Sequence, residues 1–299
     1  MPILVCGSLA FDTIMTFEGR FADQILPDQL HILNVSFLVP ALRRDFGGCA
    51  GTIAYGLRQL GAQAVPLATL GNDGADYLER MNTLGIDTRH VNRADEHYTA
   101  QAMIMTDRDN NQITAFHPGA MSMAHLNPVP RERADIDLAI VAPDGRDAMV
   151  THAQQLHDAG IPFVFDPGQG LPMFNGDELL RFIDQASWVA VNDYEGRMLC
   201  DRTGLSLGDI SRRVKGMVVT LAEHGCDVWE NGGATRVAGV KAAQVVDPTG
   251  CGDAFRAALL HGLSQGWSLA RCAEWGNRMG ALKIAVRGPQ NYTLDERPS

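Results

Sequence analysis

Short apolar runs recur along this chain at intervals that helices of ordinary length can fill, and that alternation limits the architecture before any motif is considered. Ile3 to Ser8, Ala139-Ile-Val-Ala142, Ile161-Pro-Phe-Val-Phe165, Trp188-Val-Ala-Val191 and Met217-Val-Val-Thr-Leu221 are continuous rather than alternating. That is the pattern of strands buried on both faces. Between such runs, Ala148 to Ala159, Gly176 to Ala186 and Asp193 to Arg202 have helical length and period. Strand and helix in turn predict an α/β fold, a mostly parallel central sheet with helices on both faces. Ligands of such sheets bind outside the carboxyl ends of the strands. Those ends include Gly7-Ser8 and the run leading into Asn192.

Two stretches interrupt the alternation, Thr13 to Phe17 with Ile32 to Phe37 and Ala100 to Met105 with Gln112 to Phe116. Both read as short strands joined by polar turns, and Asp107-Arg-Asp-Asn-Asn111 is a hairpin signal. A small β-sheet drawn from about residues 12–38 and 98–117 is therefore expected to project from the body of a single domain, 1–299, as a lid. No linker, repeat or low-complexity tract divides the chain.

The most chemically specific segment is Asp247-Pro-Thr-Gly-Cys-Gly-Asp253, which runs into the apolar stretch Ala254 to Leu263. The first amides of a helix lack intrahelical partners, so Gly250, Cys251 and Gly252 can form an anion-binding concavity. Asp253 stands where a base would take a proton from a hydroxyl attacking a phosphorus held by those amides. An Asp before an apolar run also caps ordinary helices. Two glycines, a second Asp and a Pro-Thr turn exceed what a cap requires. No Gly-x-x-x-x-Gly-Lys-Ser/Thr segment is present, which excludes a P-loop enzyme.

A net charge of -10 argues against nucleic acid or an anionic membrane as partner. The six cysteines are scattered singly, as reduced cytoplasmic thiols would be. Met1-Pro-Ile-Leu-Val-Cys-Gly lacks a basic leader, no apolar run is long enough for a bilayer, and the nine histidines show no metal-cluster spacing.

Asp247 to Asp253 resembles the C-terminal signature of the ribokinase-like (PfkB) carbohydrate and nucleoside kinases. Gly7-Ser-Leu-Ala-Phe-Asp12 and Gly47-Gly-Cys-Ala-Gly-Thr-Ile-Ala-Tyr-Gly-Leu57 resemble that family's substrate-binding segments, and Asn192-Asp-Tyr-Glu195 resembles its Asn-x-x-Glu motif. Order and spacing fit along nearly the whole chain. Phe17-Glu-Gly-Arg-Phe21, Ser36-Phe-Leu-Val39 and Phe116-His-Pro-Gly-Ala-Met121 are most similar to the bacterial adenosine kinases of this family.

The resemblance implies an ATP- and Mg²⁺-dependent kinase of a ribonucleoside 5′-hydroxyl, adenosine first, with K⁺ as a further activating ion and a homodimer formed through the lid sheet. It makes Asp253 the base, and Ser8, Asp12, Gly47, Gly48 and Thr52 the sugar-binding positions. Asp12 would accept hydrogen bonds from two vicinal hydroxyls, although a solvated turn Asp reads equally well from the sequence. Thr52 stands where the family usually has Asn, and its short hydroxyl puts that sugar contact in doubt. Phe116 would stack on a purine, unless it is a core ring between lid and body. Gln169 would hydrogen-bond the base.

On the nucleotide side the resemblance points to Asn192, Thr220, Gly225 and Arg256, the last neutralising transferred phosphate. Asn192 and Glu195, three apart, would hold Mg²⁺ through water; the same spacing is also a plain capping box. Cys251, at a helix N-terminus, is either a reactive thiol of lowered pKa or a buried inert one. A ribokinase-like sugar kinase and a catalytically silent nucleoside sensor on the same fold remain open at this point.

Overall fold

The computed structural model describes residues 2–25, 34–109, 111–130 and 136–298. In chain order its strands are β1 (Pro2–Cys6), β2 (Ala10–Thr16), β3 (Ala41–Gly47), β4 (Gln63–Gly71), β5 (Val91–Ala94), β6 (Ala100–Thr106), β7 (Gln112–His117), β8 (Leu138–Val141), β9 (Phe163–Phe165), β10 (Trp188–Asn192), β11 (Gly216–Thr220), β12 (Cys226–Glu230) and β13 (Gly233–Val237). The helices are α1 (Phe21–Gln24), α2 (Cys49–Gln59), α3 (Ala75–Thr83), α4 (Arg146–Asp158), α5 (Gly176–Gln185), α6 (Asp193–Thr203), α7 (Leu207–Arg213), α8 (Cys251–Ser264) and α9 (Leu269–Ile284).

The large sheet has the order β13-β12-β11-β10-β9-β8-β1-β4-β5, parallel from β5 to β11 and antiparallel at the β12-β13 edge. Successive residues of β1 serve opposite faces, as the strand period requires. Ile3 and Val5 join a core with α2, α3, α8 and α9, while Leu4 and Cys6 join one with α4 to α7. This is the α/β architecture expected from the sequence, a mostly parallel sheet with helices on both faces, and among the described residues no helix is long and apolar enough to cross a membrane.

The small sheet has the order β3-β2-β6-β7. Its sequence assignment was right for β2, β6 and β7 and wrong for the fourth strand. Ile32 lies outside the described residues, positions 34–39 form no strand, and Ala41–Gly47 pairs antiparallel with β2 instead. That segment, Ala-Leu-Arg-Arg-Asp-Phe-Gly, is too charged to read as a strand, but charge suits an exposed sheet edge. In this sheet Asp45, Asp12, Ala102 and Phe116 are register partners in one row across all four strands, so their side chains share a face.

Two features lock the sheets and helices at the strand ends. Gly48 links β3 to α2 with φ +81°, and a Cβ there would lie 2.6 Å from both the Ala10 nitrogen and the Ser8 carbonyl oxygen. Close helix packing fixes α8: a Cβ on Gly56 of α2 would stand 2.6 Å from the Ala257 Cβ, and one on Gly276 of α9 would stand 2.5 Å from the Phe255 ring. Gly48→Ala should therefore destabilise the protein by about 1–3 kcal/mol, because backbone on both sides cannot yield. A thermal melt should show a drop of several degrees; an unchanged melt would contradict the crowding inferred here.

Candidate active site

Helix α8 begins at Gly250, whose φ of +81° turns the chain into the left-handed region that glycine tolerates. The Cys251 amide returns to the Pro248 carbonyl at 3.2 Å. The amides of Gly250, Gly252 and Asp253 have no hydrogen-bond partner among the described residues, so the turn offers three donors to an anion. Asp253 sits in the first turn. Burial and the charge of Asp166 push its carboxyl up to about 7, against the pull of Arg256 and a hydrogen bond from the Cys49 thiol. A carboxyl balanced near neutrality between its two forms suits general base work.

Arg256, one turn on, is committed elsewhere. Its Nε and Nη2 donate to the two oxygens of Asp166 at 2.8 and 2.9 Å, with both side chains almost fully buried at 6% and 4% exposure. Nη2 also lies 3.8 Å from Glu195 Oε2. The guanidinium thus neutralises Asp166 at the end of β9, and a phosphate would meet it only as part of this network. Asn192 and Glu195 form a capping box: Glu195 Oε2 accepts the Asn192 N–H at 2.8 Å and Asn192 Oδ1 accepts the Glu195 N–H at 2.7 Å. Burial and the nearby Asp166 raise the Glu195 pKa. Among the described residues no group of three or more His, Cys, Asp or Glu could hold a metal.

Asp12 lies on the small sheet opposite Asp45. Burial raises its carboxyl to about 6, with Asp45 and Asp247 adding to the effect and Arg43 opposing it. Arg43 ties the cluster together, donating to Asp45 at 3.0 Å and to Asp247 at 3.3 Å. A side chain at Gly47 would overlap the Asp12 carboxylate, which explains a glycine there. Ser8 is buried beneath: its Oγ accepts the Cys49 N–H at 3.3 Å and its carbonyl accepts the Ala50 N–H at 2.9 Å, so it caps α2. Thr52 is 1% exposed, and its methyl faces Gly250, 3.1 Å from where a Cβ there would stand.

Phe116 is 52% exposed on β7 and is not a core ring. Gln169 is exposed in the 3₁₀ turn Gly168–Met173 that follows β9. Thr220 is the register partner of Asn192 at the adjacent strand end, and Gly225 holds φ +88° in the loop beyond. Cys251 is half-buried, and burial pushes its thiol up to about 11, opposite to the lowered value that a reactive thiol would need. The loss of hydration outweighs the helix terminus. Sequence reading missed three partners of Asp253 and Asp12, namely Cys49, Asp166 and Asp45. Asp166 lies three residues before Gln169, but nothing local announces its pairing with Arg256, 90 residues away.

Residues 14–297 match the pfkB family carbohydrate kinase model. The chain belongs to the pfkB family. This kinase is 52% identical to a nucleoside kinase of Burkholderia thailandensis solved with inosine, covering 97% of this chain and 93% of that one at a TM-score of 0.87. The Burkholderia protein has also been solved with ADP-inosine. A nucleoside kinase of Methanocaldococcus jannaschii, described as an archaeal member of the ribokinase family, is 26% identical over 98% of this chain and 94% of that one, with a TM-score of 0.88. An adenosine kinase from Sinorhizobium meliloti, 24% identical at a TM-score of 0.76 and covering 99% and 95%, shares the fold.

Two outcomes follow from these charges. Arg256→Met strands Asp166 in the interior and should cost about 3–5 kcal/mol by denaturant unfolding, since one partner of a buried pair is left uncompensated. A loss under about 1 kcal/mol would mean water reaches the pair. The second concerns acceptor binding. If Asp12 must be ionised, the KM for the alcohol substrate should rise as pH falls through about 6. Removing the neighbouring charge with Asp45→Asn should move that rise to lower pH. A rise at the same pH in both enzymes would dissociate Asp12 from the effect.

Proposed function

We propose that this phosphotransferase moves the γ-phosphoryl group of ATP to the 5′-hydroxyl of a purine ribonucleoside, with adenosine as one acceptor. The observation that carries the reading is Asp253, a base balanced near neutrality beside three unpartnered amides at the start of α8. The acceptor hydroxyl gives its proton to the Asp253 carboxylate, and the amides of Gly250, Gly252 and Asp253 stabilise charge on the transferred group. Mg²⁺ carried in on ATP would offset phosphate charge, with Asn192 and Glu195 reaching it through water. The small sheet acts as the lid of a single kinase domain.

A nucleoside is favoured over a free pentose by the row across the lid. Asp12 and Phe116 lie on one face two strands apart, about 10 Å. A ribonucleoside laid along that row would put its diol at Asp12 and its base against the exposed Phe116 ring, which a pentose could not reach. The inosine complex of the Burkholderia relative supports the same choice.

The test is ADP release from Mg·ATP with adenosine, inosine, pyrimidine nucleosides, ribose and fructose. Purine nucleosides should be turned over and free sugars should not; turnover of sugars alone, or of nothing, would overturn the proposal. With the accepted nucleoside, kcat/KM should rise with pH through about 7, where Asp253 ionises. Asp253→Asn should lower kcat by roughly 10²-fold or more with nucleoside affinity little changed. Equal losses in both would assign Asp253 to binding instead.

A further inference from the structure

Lys283, in the last turn of α9, is 0% exposed, and its burial is part of no step above. Burying an ammonium is costly without compensating partners. Its Nζ donates to the Asp247 carbonyl at 2.7 Å and to the Val286 carbonyl at 3.2 Å. Asp247 opens the Asp247–Asp253 turn, and its backbone is tied further to α9, with its own N–H and that of Val246 reaching the Ile284 carbonyl at 3.1 and 2.8 Å. Its carboxylate in turn accepts from Thr249 and Gly288 amides at 3.0 and 2.9 Å. All of these except the Val286 bond fix the segment that leads into the anion-binding donors. The charged groups acting on the ammonium are the carboxylates of Asp247 and Asp45, which favour its charge, and Arg43, which opposes it.

We propose that the Lys283 ammonium is a resident monovalent cation, a positioning residue that braces the phosphate-binding turn from behind by holding the carbonyls of Asp247 and Val286. A small cation activating such a turn would do so by gathering main-chain carbonyls behind the amides. Here those two oxygens already hold Nζ. The K⁺ suggested by resemblance therefore does not fit at this place, and phosphoryl transfer should proceed without an added monovalent cation. The inference rests on the reading of Gly250 to Asp253 as the phosphate site, but its readout is separate: whether there is turnover at all tests that reading, and its salt dependence tests Lys283.

The experiment measures kcat and nucleoside KM in KCl, NaCl, NH₄Cl and tetramethylammonium chloride at equal ionic strength, for the parent, Lys283→Met and Lys283→Arg. The parent should show the same kcat in all four salts. Lys283→Met should lose roughly 10–100-fold in kcat with little change in nucleoside KM, the scale on which supporting partners of a site act. K⁺, NH₄⁺ or added methylammonium should restore part of that loss, which a merely structural lysine would not permit, and Lys283→Arg should retain more activity than Lys283→Met. Should Lys283→Met fail to melt cooperatively, Lys283→Gln, an uncharged donor to the same carbonyls, takes its place. The proposal is overturned by several-fold activation of the parent by K⁺ over tetramethylammonium, by a fully active Lys283→Met enzyme, or by a folded, impaired variant that no small cation rescues.

Discussion

The buried pair between Arg256 and Asp166 is the interaction on which the site's geometry depends. It joins α8 to the end of β9 through two parallel hydrogen bonds, in an interior where neither charge could remain alone. Because Arg256 lies one turn beyond Asp253, the pair sets the rotation of the helix and thus where the Asp253 carboxylate points. It also acts on Asp253: burial is the largest cause of that carboxyl's raised pKa, Asp166 adds to it and Arg256 opposes it.

A second consequence concerns the opposite end of the site. Asp12 and Asp253 are close enough to act on each other's ionisation, yet they meet different neighbours. Asp12 has Asp45 and Asp247 beside it and an arginine tied to both. Asp253 has a thiol donor and an ion pair. Two acids of the site are thereby raised to different degrees, Asp12 to about 6 and Asp253 to about 7, and on the proposed reading the first would accept hydroxyl hydrogen bonds and the second would move a proton.

What could be read from the sequence was what local chemistry determines. The continuous apolar runs marked β1 and β8 to β11, and the glycines of Asp247 to Asp253 marked a helix start with open amides, because each signal lies within a few residues. Ala41–Gly47 was not legible, since its strand form comes from pairing with β2 and not from its own pattern. The same holds for Ser8, whose hydroxyl is spent capping a helix 41 residues on, and for Arg256, whose partner is 90 residues back. The Cys251 thiol shows the limit of a local rule: a helix N-terminus favours the thiolate, but partial burial raises its pKa instead, and burial is a property of the whole fold.

The charge around the site also explains how a nucleotide is accommodated by an acidic protein. Asp12, Asp45, Asp166, Asp247, Glu195 and Asp253 line or support the cleft, while Arg43, Arg256 and Lys283 are each engaged with acids or carbonyls of this same set. On the reading proposed above, a triphosphate would be met by dipoles, the open amides of α8, and by cations that arrive with it. Asn192 and Glu195, locked to each other, would face such an ion only through its waters.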